Sequence, residues 1–152
     1  MSTLLDTNIL TCLSLQMHPH HVAAKSAITV LRNQGETLHV VPQNLYEFWA
    51  VATRPVIASN GLGLSVTQAK AELVRICSLF SMLQDIPAVY MEWARLVEIY
   101  EVKGKTSHDA RLVAAMTVHG VARLLSFNDR DFSRYTTISV NNPITFLPLP
   151  RL

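Results

Sequence analysis

The chain has 152 residues, of which 49% are hydrophobic and only 16% charged, with a net charge of +2. That length fits one domain with a proper core, and no apolar run reaches the ~18–20 residues of a membrane span. Two cysteines, Cys12 and Cys77, are too few for a disulfide framework and have no Cys/His zinc spacing around them, which excludes the stapled secreted class. Asp6 interrupts the first apolar stretch and no basic segment precedes it, so a signal peptide is not expected and a reducing cytoplasm is the default. The low charged share also points to surface buried against a partner.

In chain order, Ser2 to Leu5 reads as a short strand and Thr7 to about Leu15 as a helix. Pro19 opens a second helix that ends near Gly35, with Val22, Ile28, Val30 and Leu31 as its apolar positions. Leu38 to Val41 is a second strand, and Pro42 suits the first turn of a helix reaching Thr53, where Arg54-Pro55 stops it. Ala58 to Gly63 reads as a loop. Ser65 with Gln68 three residues on makes a capping box for a helix to about Ser81. A weak strand over Met82 to Ile86, a helix from Pro87 to about Val102, and a helix capped by Ser107 and closed at Gly120 follow. Val121 to Ser126 and Thr137 to Val140 are the last strands. Strands alternating with helices predict a three-layer α/β/α domain over residues 1–152, with a mostly parallel sheet of four to five strands. Ligands of such sheets bind beyond the carboxyl ends of the strands.

Three acids stand in apolar surroundings. Asp6 is the only formally charged residue before Lys25, Glu47 is the only charge between His39 and Arg54, and Asp109 shares a helix face with Leu112, Val113 and Met116. A fourth acidic cluster, Asn128-Asp129-Arg130-Asp131, follows the apolar run Val121 to Leu125. A buried carboxylate without a partner is costly, and several that converge cannot neutralise one another, so a hard divalent cation is the economical partner. Each acid alone has a plainer reading, Asp6 as an N-cap and Asp109 as a first-turn acid favoured by the helix dipole. Glu47, amid Tyr46, Phe48 and Trp49, has no such local reading.

These residues resemble the PIN-domain family, and in particular the VapC-type toxins of prokaryotic toxin–antitoxin modules. The resemblance rests on Leu5-Asp6-Thr7-Asn8, on Glu47-Phe48, on His108 through Ala115, and on Leu125 through Phe132, and it spans essentially the whole chain. It implies an endoribonuclease dependent on Mg²⁺ or Mn²⁺ that hydrolyses RNA phosphodiester bonds, is paired with an antitoxin protein and forms a homodimer. It places Asp6, Glu47 and Asp109 at the family's acidic positions, with Asp6 and Asp109 as direct metal ligands and Glu47 at a second metal position. Thr7 falls on a hydroxyl position, and Thr7 and Asn8 become hydrogen-bond donors behind the ligands. The fourth acidic position stays open between Asn128, two residues after Ser126, and Asp129, counted back from Asp131-Phe132.

Two other readings compete. One is a catalytically silent, RNA-binding or scaffold member of the same family. The other is an aspartyl-phosphate phosphatase, which also begins with an acid after its first strand but needs a second Asp where this chain has Asn8. Lys103, Lys105, Arg111, Arg123, Arg130 and Arg134 hold six of the thirteen basic residues within one stretch. They read either as solvated helix and loop surface or as a cationic rim that brings RNA phosphates to the acids, with Lys103, Lys105, Arg111 and Arg130 as the RNA contacts. His18, His20 and His21 lack a further ligand at metal spacing and are expected at a loop and helix start. His108 is expected at the surface, and Trp49, Trp93 and Tyr100 in the core. Gly61 and Gly63 have no Walker lysine after them.

Overall fold

A computed structural model describes residues 1–57 and 61–148. Five parallel strands, β1 (Ser2–Leu5), β2 (Thr37–Val40), β3 (Ser81–Met82), β4 (Arg123–Leu125) and β5 (Ser139–Asn141), lie in the order β3-β2-β1-β4-β5. Parallel neighbours require crossovers, which here are the helices α1 (Thr7–Ser14), α2 (His21–Asn33), α3 (Pro42–Thr53), α4 (Val66–Leu79), α5 (Pro87–Ile99) and α6 (Thr106–His119). Alternation along the strands sends successive side chains to opposite faces. Leu5 and Leu125 pack with Ile9, Leu31 and Phe48 under α1 to α4. Leu4 and Leu124 pack with Leu96, Val113 and Met116 under α5 and α6. The α/β/α expectation is met.

Several boundaries differ from the sequence reading. The strand expected over Met82 to Ile86 is only Ser81–Met82, paired with His39 and Val40. Its neighbour β2 stops at Val40 because Pro42 already starts α3, so residues beyond Leu83 have no ladder to join. The strands expected over Val121 to Ser126 and Thr137 to Val140 shrink to the three-residue pair β4 and β5. The helix expected from Ser107 begins at Thr106 behind Lys105, and closes at Gly120, whose φ of 69° is the left-handed conformation glycine tolerates. Residues 58–60 of the expected Ala58–Gly63 loop lie outside the described residues. Two 3-10 turns, Asp129–Phe132 and Pro143–Phe146, are additional.

In this strand order β1 has β2 on one side and β4 on the other, so successive crossovers leave β1 in opposite directions. The crevice between the carboxyl ends of β1 and β4 is the switch point where open α/β sheets bind ligands. Asp6 and Ser126 are the residues immediately after those two strands. The Asp6 amide donates to the Leu125 carbonyl at 3.0 Å, holding the two ends together.

Candidate active site

Asp6 is both N-cap and site residue. Its carboxylate accepts from its neighbour's amide, Thr7 N, at 2.7 Å, from Ser126 Oγ at 2.6 Å and from Asn8 Nδ2 at 3.3 Å. The cap is therefore not an alternative to the site, because one oxygen starts α1 while the other is held across the crevice. Asn8 extends the same bracket, donating also to Ser126 Oγ at 3.3 Å and accepting from Phe127 N at 3.4 Å. Burial pushes the Asp6 carboxyl above its ordinary range, against the pull of the Ser126 and Thr7 hydrogen bonds, and the negative charges of Glu47 and Asp131 push the same way.

Glu47 reaches the crevice from α3. One oxygen accepts from Thr7 Oγ1 at 2.8 Å and the other from Gln43 Nε2 at 2.7 Å. Gln43 lies one helical turn earlier, so the partner missing from the sequence reading sits at i−4 on the same face. Its Nε2 also donates to the His108 carbonyl at 2.9 Å, tying α3 to the start of α6. Asn44 supports Thr7 from behind with a 3.3 Å bond to its hydroxyl.

Asp109 enters from the first turn of α6. Among the described residues nothing hydrogen-bonds to its carboxylate. Burial raises it to about 6, and Asp6, Asp131 and Glu47 add to the rise while His108 opposes it. A carboxylate with like charges around it and no donors is what a cation site looks like when only protein atoms are counted.

The cluster after β4 leaves three candidates for the fourth position, and the Asn128 backbone amide donates to Ser126 Oγ at 3.0 Å beside Asp6. Asn128 is exposed, and Asp129 is exposed with its carboxylate accepting from Asn142 Nδ2 at 3.1 Å. Asp131 is the acid whose charge raises both Asp6 and Asp109. Asp129–Phe132 form a 3-10 turn. Ser126 and Gln43 are the residues the sequence reading missed, and Asp131 entered it only as part of the cluster.

The basic rim divides in two. Lys103, Lys105, Arg130 and Arg134 are exposed near the ends of α6 and β4. Arg111 instead pairs with Asp85 at 2.8 Å and reaches Gln43 Oε1 at 3.4 Å, so it braces the residue that holds Glu47. Arg123 pairs with Glu36 at 2.9 Å, at the start of β4, and leaves the rim altogether. Trp49 and Trp93 are half-buried rather than core, and His108 is exposed as expected.

The donor set fits a hard divalent ion. All the charged groups are oxygen donors, and after three hydrogen bonds Asp6 still has acceptor capacity left. Among the described residues no three His, Cys, Asp or Glu side chains form a ready-made cage. That suits Mg²⁺, which keeps several waters and takes one or two carboxylates rather than an all-protein shell.

Comparison with known proteins agrees with this architecture. No family model matches the chain. It is 24% identical over 152 residues to ribonuclease VapC48 of Mycobacterium tuberculosis, covering 95% of this chain and 99% of that one. The structure superposes on VapBC2 from Rickettsia felis, bound to a DNA fragment from its promoter, with a TM-score of 0.68 at 16% identity, over 93% of this chain and 98% of that one. Mycobacterium tuberculosis VapC20, a sarcin-ricin-loop-cleaving toxin, gives a TM-score of 0.60 at 16% identity, over 88% and 95%. VapBC-1 from nontypeable Haemophilus influenzae gives 0.68 at 16% identity, over 95% and 99%. The resemblance drawn from the four sequence motifs is borne out, and the chain has the fold of the VapC-type PIN-domain proteins.

Proposed function

We propose that this protein is a Mg²⁺- or Mn²⁺-dependent endoribonuclease, acting as the toxin of a toxin–antitoxin pair and assembling as a homodimer. The observation that carries the reading is that Thr7 and Gln43 tie Asp6, Glu47 and the first turn of α6, which bears Asp109, together beyond the carboxyl end of β1. The names of its relatives, a ribonuclease, a sarcin-ricin-loop-cleaving toxin and a toxin–antitoxin complex, support the same class.

Asp6 and Asp109 would hold the ion. When bound, Mg²⁺ lowers the pKa of a coordinated water and neutralises charge on the phosphoryl oxygens. Ser126, Thr7 N and Asn8 fix the Asp6 carboxylate so that its free lone pairs face the crevice. Glu47, held by Gln43 and Thr7, and the exposed Asp131 would orient water and accept its proton. Incubating the protein with total RNA in Mg²⁺ or Mn²⁺ against EDTA, and mapping the cut ends, tests the proposal. Metal-dependent internal cuts are expected, and intact RNA with both ions would overturn it.

Two further outcomes follow from the layout. Asp131→Asn should lower metal affinity or cleavage by about 10- to 100-fold, the range for residues that support metal ligands. Asp129→Asn, whose amide oxygen can still accept from Asn142, should stay close to the parent in metal titration and turnover. Equal losses in both variants would return Asp129 to the site. For the rim, replacing Lys103, Lys105 and Arg130 together should weaken RNA binding for all sequences and flatten its salt dependence. With Z phosphate contacts on a single strand the slope of log K against log salt is about −0.7Z. An unchanged slope would show that these charges only solvate the surface.

A further inference from the structure

A second cleft opens beside the acids, on the α1 side of the crevice. It encloses about 400 Å³, and Thr7, Asn8, His18, His20, Phe127 and Asn128 are among its lining residues. That size falls within the range of clefts that take small ligands. Asn8 belongs to both sites, since the amide that lines the cleft also donates to the Asp6 carboxylate at 3.3 Å. His20 stacks on Phe127 with ring centroids 4.8 Å apart and an interplanar angle of 30°, and His18 leans on His20 at 5.7 Å. His20 itself is exposed, so the aromatic stack ends in the open cleft.

The chemistry of this lining is selective. Among the described residues it contains no Asp, Glu, Lys or Arg, in contrast to the acids on one side and the exposed lysines on the other. Burial disfavours the charged form of His18, with His20 and His21 acting in the same direction. A phosphate would find no Lys or Arg here, and a basic peptide side chain no carboxylate. A nucleobase would find a flat aromatic face and the neutral amide of Asn128 as donor and acceptor, while Asn8, whose N–H groups are taken by Asp6 and Ser126, offers its amide oxygen. Unpaired RNA bases are recognised in this way, by stacking on aromatic rings and hydrogen-bonding at their edges.

We propose that this cleft is a base-binding subsite, which holds the nucleobase next to the scissile phosphate and stacks it against His20. The proposal rests on the ribonuclease reading and gives it a source of sequence preference, because the Asn128 amide and the Asn8 carbonyl oxygen can bond to base edges while His20 tolerates any ring. Asn8 would then link base recognition to the orientation of Asp6.

The first test is binding of a short single-stranded RNA carrying 2-aminopurine at one position, in EDTA, to the parent and to His20→Ala. Quenching of the probe is expected with the parent, with affinity about tenfold or more weaker in His20→Ala, the scale of one lost base stack. The second test maps cut sites on a random-sequence RNA pool with metal. His20→Ala should still cut, but with its preference flattened at one nucleotide beside the cut. Because His20 is exposed, this variant is expected to fold, and its circular dichroism and melting curve check that. Phe127→Leu, which removes the ring below His20 but keeps an apolar side chain, should move both readouts in the same direction. Probe quenching without any cleavage by the parent would remove the ribonuclease reading and leave the subsite standing. Identical quenching and an identical cut profile in His20→Ala would overturn the subsite. So would a variant with unchanged RNA behaviour that loses a protein partner, since the cleft would then be a protein-docking groove.

Discussion

Asp109→Asn should give a folded protein that no longer cleaves RNA and that, free of metal near neutral pH, melts higher than the parent. The loss of activity should exceed about a hundredfold, the upper range for residues one step further from a metal. The gain in stability comes from the electrostatics of the empty carboxylate. In the unfolded chain Asp109 has its ordinary value of 3.8, whereas in the folded protein burial and three like charges raise it to about 6. Between those values the unfolded chain binds fewer protons than the folded one, so stability falls as pH rises across that window and stays lower above it. About two units correspond to roughly 3 kcal/mol, and half-exposure to solvent reduces this to about 1–2 kcal/mol. For a domain of this size that is a melting-point increase of about 3–6 °C for the variant at neutral pH. Divalent metal should raise the melting point of the parent and leave the variant nearly unmoved, because only the parent gains from binding. Thermal melts from pH 4 to 8, with EDTA or with Mg²⁺, read all of this. Full nuclease activity in the folded variant would remove Asp109 from the site, and a parent melting point flat across the window would remove its electrostatic strain.

The parts of the site that were legible in the sequence are those whose neighbours contradict them. Asp6 after Leu4-Leu5, Glu47 among aromatics and Asp109 above Leu112, Val113 and Met116 stand out because helix and strand periodicity assigns their surroundings to the core. The alternation of elements likewise pointed to the parallel sheet, since each of the first four strand runs is separated from the next by a helical pattern. What was illegible depends on contacts between distant segments. Ser126 looks like an ordinary strand end, yet its hydroxyl reaches Asp6 across 120 positions of chain at 2.6 Å. Asp131 could not be separated from Asn128 and Asp129, because residues this close along the chain differ only in how the 3-10 turn over Asp129–Phe132 folds. Short edge strands such as Ser81–Met82 are set by where their neighbour stops, not by their own residues.

Arg123 shows how misleading a run of basic residues can be, and its replacement should produce the largest loss of stability among the six. By position it belongs with Lys103 to Arg134, but its guanidinium donates to Glu36 Oε1 at 2.9 Å. Glu36 has a side chain only 3% exposed, and its other oxygen accepts from the fully buried Thr3 hydroxyl at 2.8 Å. Thr3 and Arg123 are register partners on β1 and β4, so the pair clamps those strands at the end away from Asp6 and Ser126. Arg123→Ala would leave a carboxylate with one neutral donor in a nearly dry site. Breaking a buried pair costs about 3–5 kcal/mol, and the 30% exposure of Arg123 lets water offset part of it, so about 2–4 kcal/mol is expected. Adding Glu36→Gln should recover much of that loss, because the amide keeps its bond to Thr3 without a charge to satisfy. Denaturant melts of both variants and of Lys105→Ala measure the difference, with Lys105→Ala expected within about 0.5 kcal/mol of the parent as an exposed substitution. Cleavage per folded molecule and the salt slope of RNA binding should not change in Arg123→Ala, since the pair is a full strand length from the acids. An intact melting curve with weakened RNA binding would put Arg123 back on the rim, and would mean that RNA passes along the opposite end of the sheet.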